Sequence, residues 1–259
     1  MNQSLLLQSK SRITTTGLVL FGAFLLFLIL QVGLTWLAPR MDQTWSQLPV
    51  AAVMLTVALL LEKLFWGRSP VAALCVLGFG GATWGTIGVA VILSALLLLF
   101  FPIFAWVTGA TVRLKPDWWW IAIGALAVNG IAEETLFRAF VFGHLRREGT
   151  GKTFRQAALL SLPIFVAVHL IMFVQNPFVL GVLATLIALV AALPLAYLFE
   201  QAGFSIWPTV ILHVVVHVIR FMEISEPFYV TAVLAWMILQ VGAPFLIFAF
   251  RGNLLHEDS

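Results

Sequence analysis

The reading of this chain turns on one stretch, "NGIAEETLFRAFVFGHL", Asn129 to Leu145. Around it the composition is that of a lipid-embedded chain. Of 259 residues, 62% are hydrophobic and 10% charged, ten are Trp and 22 Phe, and mean hydropathy is +1.06. Within the stretch, Glu133, Glu134 and Arg138 interrupt an apolar helical run. A charge at the centre of a bilayer helix costs about 2.5–3.5 kcal/mol on insertion scales. Three on one helix call for partners, for a function, or for both.

Working outward, several apolar runs exceed the ~18 residues that suggest a spanning helix. "LVLFGAFLLFLILQVGLTWLA" and "VLGVLATLIALVAALPLAYLF" lack the alternation of a barrel strand. The expected fold class is all-α, a polytopic membrane bundle of about eight transmembrane helices. The spans fall at Thr16–Ala38, Leu48–Trp66, Thr83–Thr108, Trp118–Gly143, Ala157–Val174, Phe178–Phe199, Ser205–Phe221 and Pro227–Phe250. Between the second and third, "SPVAALCVLGFGG" is too short and Gly-rich to cross and reads as an interfacial or re-entrant segment. Residues 1–259 read as one membrane domain. The first apolar run is longer than a signal-peptide core, so a retained first helix is expected.

Single Cys75 excludes an intrachain disulfide. The net charge of +3 is spread over short loops, which argues against nucleic acid and for orientation signals. Eight spans put Lys10, Arg12, Lys63, Arg68, Arg146, Arg147, Lys152, Arg155 and Arg251 on one side. Arg40, Arg113, Lys115 and Arg220 fall on the other. The positive-inside bias then predicts cytoplasmic termini. Trp118, Trp119 and Trp120 read as an interfacial anchor at the start of the fourth span.

On a regular helix, residues four apart lie about 40° apart around the axis. Glu134 and Arg138 are so spaced, with the acid N-terminal, and can form an ion pair. Glu133 and Arg138 point about 140° apart. Glu133 therefore faces elsewhere, on the side of Asn129, which can orient its carboxyl group. A carboxyl with no helical counter-ion is the candidate base.

Few other titratable residues lie at membrane depth. His169 sits in "PIFVAVHLIMF", and His213 and His217 lie four apart in "WPTVILHVVVHVIRF". Three such histidines and one glutamate point to a common cavity. His144, beside Arg146 and Arg147, and His256, in the polar tail, read as interfacial or solvated. Glu and His can activate water for hydrolysis or relay protons for transport. A third variant uses zinc, held by His169, His213 and His217, because His at i, i+4 is a helical ligand spacing. "HVVVH" lacks the Glu that follows the first His of the usual zinc-peptidase motif.

"EETLFR" matches an EExxxR motif, "FVAVH" (Phe165–His169) an FxxxH motif, and "HVVVH" occupies the place of HxxxN or HxxxD. In this order and at these separations, the region Trp118–Phe221 resembles the CPBP intramembrane proteases. That family includes the CAAX prenyl endopeptidases and the bacteriocin-processing and immunity (Abi) proteins. The resemblance implies an eight-helix bundle with a conical cavity and peptide-bond hydrolysis in or beside the membrane. Carried over, Glu133 and His169 would activate the water, and His213 would help form the oxyanion site. Glu134 and Arg138 would support the cavity. His217 departs from the family's Asn or Asp: its ring can also donate, but it titrates and can bind metal. No cofactor is expected, with zinc as the alternative. The expected partners are the lipid bilayer and a peptide or membrane-protein substrate. A catalytically inactive immunity or scaffold protein is the competing reading.

Overall fold

A bilayer offers no partners to backbone N–H and C=O groups, so the apolar runs satisfy their own as helices. The computed structural model describes residues 3–37, 43–148, 150–169 and 178–250. In chain order, its principal helices begin with α1 (Gln3–Leu37), α2 (Gln43–Trp66), α3 (Pro70–Phe79) and α4 (Trp84–Thr108). They continue with α5 (Trp118–Arg147), α6 (Phe154–His169), α7 (Phe178–Gln201), α8 (Trp207–Val216) and α9 (Glu226–Gly242). A tighter turn, Ala243–Phe250, follows α9. Among the described residues six helices are long and apolar enough to cross a membrane: α1, α2, α4, α5, α7, and α9 with its continuation. The protein is an all-α polytopic membrane bundle.

The fifth and seventh expected spans are represented by shorter helices. For α6, the expected end at Val174 lies outside the described residues, as do Arg40, Arg251 and His256. For α8 the helix is shorter than the expected Ser205–Phe221. Its ten residues rise only about 15 Å. After His217 the chain tightens through Val218–Phe221 and enters strand β2 (Met222–Ile224), which pairs antiparallel with β1 (Val112–Leu114). Arg113 forms a bidentate ion pair with Glu223 across that ribbon, at 3.0 and 2.9 Å.

The interfacial segment is helical. Ser69 caps α3 and Pro70 opens it, and Gly78 turns it with φ +82°. A side chain at Gly78 would collide with Ile206, whose backbone N–H donates to the Gly78 carbonyl. Thus α3 is docked onto the loop that launches α8.

Of the six candidate spans, α5 lies deepest. In its most apolar window 56% is buried, against 22–39% for the others, so it is the axis of the bundle. Leu136, Phe140 and Phe142 of α5 pack with Leu26 and Leu30 of α1, Met54 of α2 and Phe199 of α7. A second cluster joins α4, α8 and α9 through Leu93, Phe101, Leu212 and Trp236. Trp84, Trp106 and Ile238 point outward and are exposed, as a lipid-facing belt requires.

The turns of α5 are widened. Two segments, Leu126–Ala132 and Thr135–Gly143, follow i→i+5 backbone bonding, with Glu133 and Glu134 at the junction. Such wide turns are rare and cluster at functional sites. Regular-helix angles therefore do not carry across this segment, and side-chain directions come from contacts instead.

Candidate active site

Gly130 is the close-approach point. A Cβ there would lie 2.9 Å from Val214 and 3.1 Å from Val210, so its absence lets α8 settle against α5. That contact brings His213 to the two glutamates. The Oε1 of Glu134 lies 2.6 Å from His213 Nδ1 and 3.2 Å from Arg138 Nη1. The arginine contact is ionic: neither Nη of Arg138 has a hydrogen-bond partner, although both are buried. Glu133 stands apart from the arginine. Asn129 Nδ2 donates to its Oε1 at 2.8 Å, and its Oε2 lies 3.8 Å from His213 Nε2.

Acceptor-only partners fix the histidine tautomers. A carboxylate cannot donate, so the Nδ1–H of His213 is committed to Glu134. Likewise the Nδ1–H of His169 donates to the Phe165 carbonyl at 2.8 Å. In their neutral forms, both rings keep Nε2 as a lone-pair acceptor. The oxyanion role that the resemblance implies for His213 is thereby weakened, because the neutral ring has no second N–H to offer. Phe165 lies between the groups it orders, with the Arg138 guanidinium 5.1 Å from its ring centre and the His169 ring 4.7 Å away.

Arg138, His169, His213 and His217 line one cavity of about 240 Å³, whose other walls are mostly apolar and come largely from α7 and α9. Glu133 is not part of the wall itself; it approaches at the Nε2 edge of His213. The rings of His213 and His217 are stacked at 5.2 Å. From α9, Trp236 Nε1 and Gln240 Nε2 both donate to the Val216 carbonyl, at 2.9 and 2.6 Å. That fork anchors the end of α8 immediately before His217.

Residues 115–219 match a family model described as type II CAAX prenyl endopeptidase Rce1-like. The match supports the CPBP/CAAX protease family. It also supports, in general terms, an intramembrane protease of the CAAX type. No curated protein and no solved structure matches the chain. The protease-like segment holds Glu133, Glu134, Arg138, His169, His213 and His217, whereas Arg220, Trp236 and Gln240 lie beyond it.

The alternative of zinc rests on His169, His213 and His217. Among the described residues, no group of three or more His, Cys, Asp or Glu is arranged to hold a metal ion. The Nδ1 atoms of His169 and His213 are engaged by the Phe165 carbonyl and by Glu134, which leaves their Nε2 atoms as the ones available to a ligand.

Two groupings escaped the sequence. Arg220, counted as a loop charge, donates to Asn129 Oδ1 at 3.5 Å. His144 was expected to be interfacial or solvated; the solvated half of that expectation is corrected, because its side chain is fully buried. Its Nε2 lies 2.8 Å from Glu62, its Nδ1 3.2 Å from the Ala139 carbonyl, and its ring faces Trp66 at 4.5 Å. Arg68 completes this second network, paired with Glu62 and with Glu148. The one advance signal was Glu62 itself, a lone acid inside the second apolar span.

Proposed function

We propose that the protein is a glutamate-dependent intramembrane endopeptidase. The observation that carries the reading is the Glu133 carboxylate, which has no arginine contact and faces His213 Nε2 across 3.8 Å at the cavity edge. That separation exceeds a hydrogen bond and suits a shared water. Glu133 takes a proton from this water, and the resulting hydroxide attacks the carbonyl carbon of the scissile bond. His169 Nε2, an acceptor on the same cavity, holds the water's other proton. The tetrahedral oxyanion is met by a ring N–H of His217. Glu133 then returns its proton to the leaving nitrogen as the C–N bond breaks, giving one new carboxyl end and one new amine. General-base catalysis of this kind contributes about 10²–10⁴-fold.

Glu134 and Arg138 support the site, the first by fixing the His213 tautomer and the second by balancing the charge of Glu134. The apolar walls suit a membrane-associated peptide segment, including a lipid-modified C-terminus of the CAAX type. Both termini are assigned to the cytoplasmic side by the excess of Lys and Arg there. The mechanism as proposed draws on side chains alone.

The test is turnover by purified protein in bilayer nanodiscs, on a quenched fluorescent peptide with a prenylated CAAX end. Peptide profiles of expressing membranes are compared in parallel. Wild type is expected to cleave, and to keep doing so in chelator; Glu133→Gln is expected to stay folded and inactive. Turnover by folded Glu133→Gln removes the base assignment. Loss of wild-type turnover in chelator with recovery on added zinc removes the metal-free mechanism.

A further inference from the structure

Among the described residues, Arg220 reaches Glu133 through an amide. Its Nη1 donates to Asn129 Oδ1 at 3.5 Å, and Asn129 Nδ2 donates to Glu133 Oε1 at 2.8 Å. The two ends of this chain are chemically one-sided. A guanidinium can only donate, and a carboxylate can only accept. Asn129 has two faces, and either could have been turned toward Glu133. With its oxygen held by Arg220, its NH₂ must face the carboxylate. An inverted amide would set its oxygen against the carboxylate and its NH₂ against the guanidinium, so Glu133 and Arg220 select the same orientation, and Arg220 adds the hold on the far side.

The position of Arg220 is itself built. Lys115 Nζ donates to the Arg220 carbonyl at 2.9 Å, and the Lys115 backbone N–H to the Phe221 carbonyl at 2.8 Å. The Lys115 carbonyl in turn accepts from Trp118 at the start of α5, the helix that carries Asn129 and Glu133. The Arg220 N–H caps back onto the His217 carbonyl at 3.0 Å. The turn after α8 and the first turn of α5 are thus tied together outside the cavity, and one side chain reaches back from that tie.

We propose that Arg220 is a positioning residue, which acts through Asn129 to set the orientation of the Glu133 carboxylate. The proposal rests on the reading of Glu133 as the base only for its catalytic consequence; the geometry of the carboxylate can be measured without turnover. Infrared difference spectra of purified protein, wild type minus Glu133→Gln, isolate the carboxylate stretching band of Glu133. Asn129→Ala is expected to shift that band. Arg220→Met is expected to shift it in the same direction, and the double variant to show no more than the Asn129→Ala shift, since both act on one hydrogen bond. If Arg220→Met does not fold, Arg220→Lys is read in the same way, because a shorter, single ammonium leaves Asn129 Oδ1 unbonded. A wild-type band in the Arg220 variant, or additive shifts in the double variant, overturns the relay. Turnover by Glu133→Gln would instead retire the base assignment and leave the relay to stand or fall on the band.

Discussion

The molecule buries two constellations of the same residue types at two levels. Glu133, Glu134, Arg138 and His213 meet beside the cavity; Glu62, Glu148, Arg68 and His144 meet where α2 and α5 end. They differ in how the carboxylates are used. In the second group, Arg68 grips both acids, and the imidazole is closed in by Trp66, Phe140 and the Ala139 carbonyl. In the first group, Arg138 contacts only Glu134, and Glu133 is left facing a ring nitrogen it does not bond, at the edge of a cavity. Composition alone would rank the two as equal. What separates a site from a brace is a carboxylate whose partners leave one oxygen free, next to open space.

This contrast is broken most directly at its two acids. Glu133→Gln is expected to reduce turnover by about 10²–10⁴-fold, with thermal stability close to wild type. Glu62→Ala is expected to do the converse. It strands His144 and half of Arg68 in a buried setting, and removing one partner of a buried pair costs about 3–5 kcal/mol. Arg68 keeps Glu148 and some solvent, so the lower end applies. The measurement is melting temperature and turnover per folded molecule for each variant. A stable Glu62→Ala protein, or one that is stable but inactive, would show that the two groups are not divided as structure and chemistry.

Arg68 of the bracing group lies outside the spans, and its charge can be read directly. Burial pulls the Arg68 guanidinium down, but hydrogen bonds and charge from Glu62 and Glu148 outweigh it and leave its pKa raised. Arg68 therefore stays cationic at every pH the protein meets. The comparison sharpens again at His217, a smaller effect. If the ring supplies one N–H to the oxyanion, His217→Asn replaces it with an amide donor. Turnover should then stay within about tenfold of wild type, with any pH dependence due to His217 flattened. A dead, folded His217→Asn enzyme would show that the imidazole does something an amide cannot.

How much of this was legible in the chain depends on the range of each signal. Glu133, Glu134 and Arg138 announced themselves because they interrupt an apolar run, and His169, His213 and His217 did so for the same reason. The partners that give them their roles are distant. Glu134 meets His213 79 residues away, and Arg220 reaches Asn129 across 91. No local pattern encodes those meetings; Gly130, which permits the first, is silent unless the neighbouring helix is known. His144 was misjudged because Arg146 and Arg147 made its surroundings look wet, while its actual partners come from α2 and the loop after it. The end of α8 was hidden by Val218, Ile219 and Phe221, which continue the apolar run through the tighter turn that leads into the ribbon. The widened turns of α5 leave no compositional trace, since i→i+4 and i→i+5 bonding use the same residues.

The smallest effect belongs to the outer ribbon, where the same ion pair is made in water. Arg113 holds Glu223 in a bidentate grip, and that hydrogen bond, with the charge behind it, keeps the Glu223 pKa below its ordinary value. A carboxylate whose folded pKa is depressed stabilises the fold above its unfolded pKa, and the contribution fades as pH falls through the folded value. Both side chains are well exposed, so solvent and salt screen most of the interaction. Glu223→Gln should therefore barely change melting temperature at neutral pH, and should remove a slight extra loss seen when wild type is acidified below the ordinary carboxylate range. Salt should erase that difference. Because the ribbon also holds the turn that carries Arg220, a large loss of stability or turnover in Glu223→Gln would reveal that the pair fixes the strand register rather than merely decorating it.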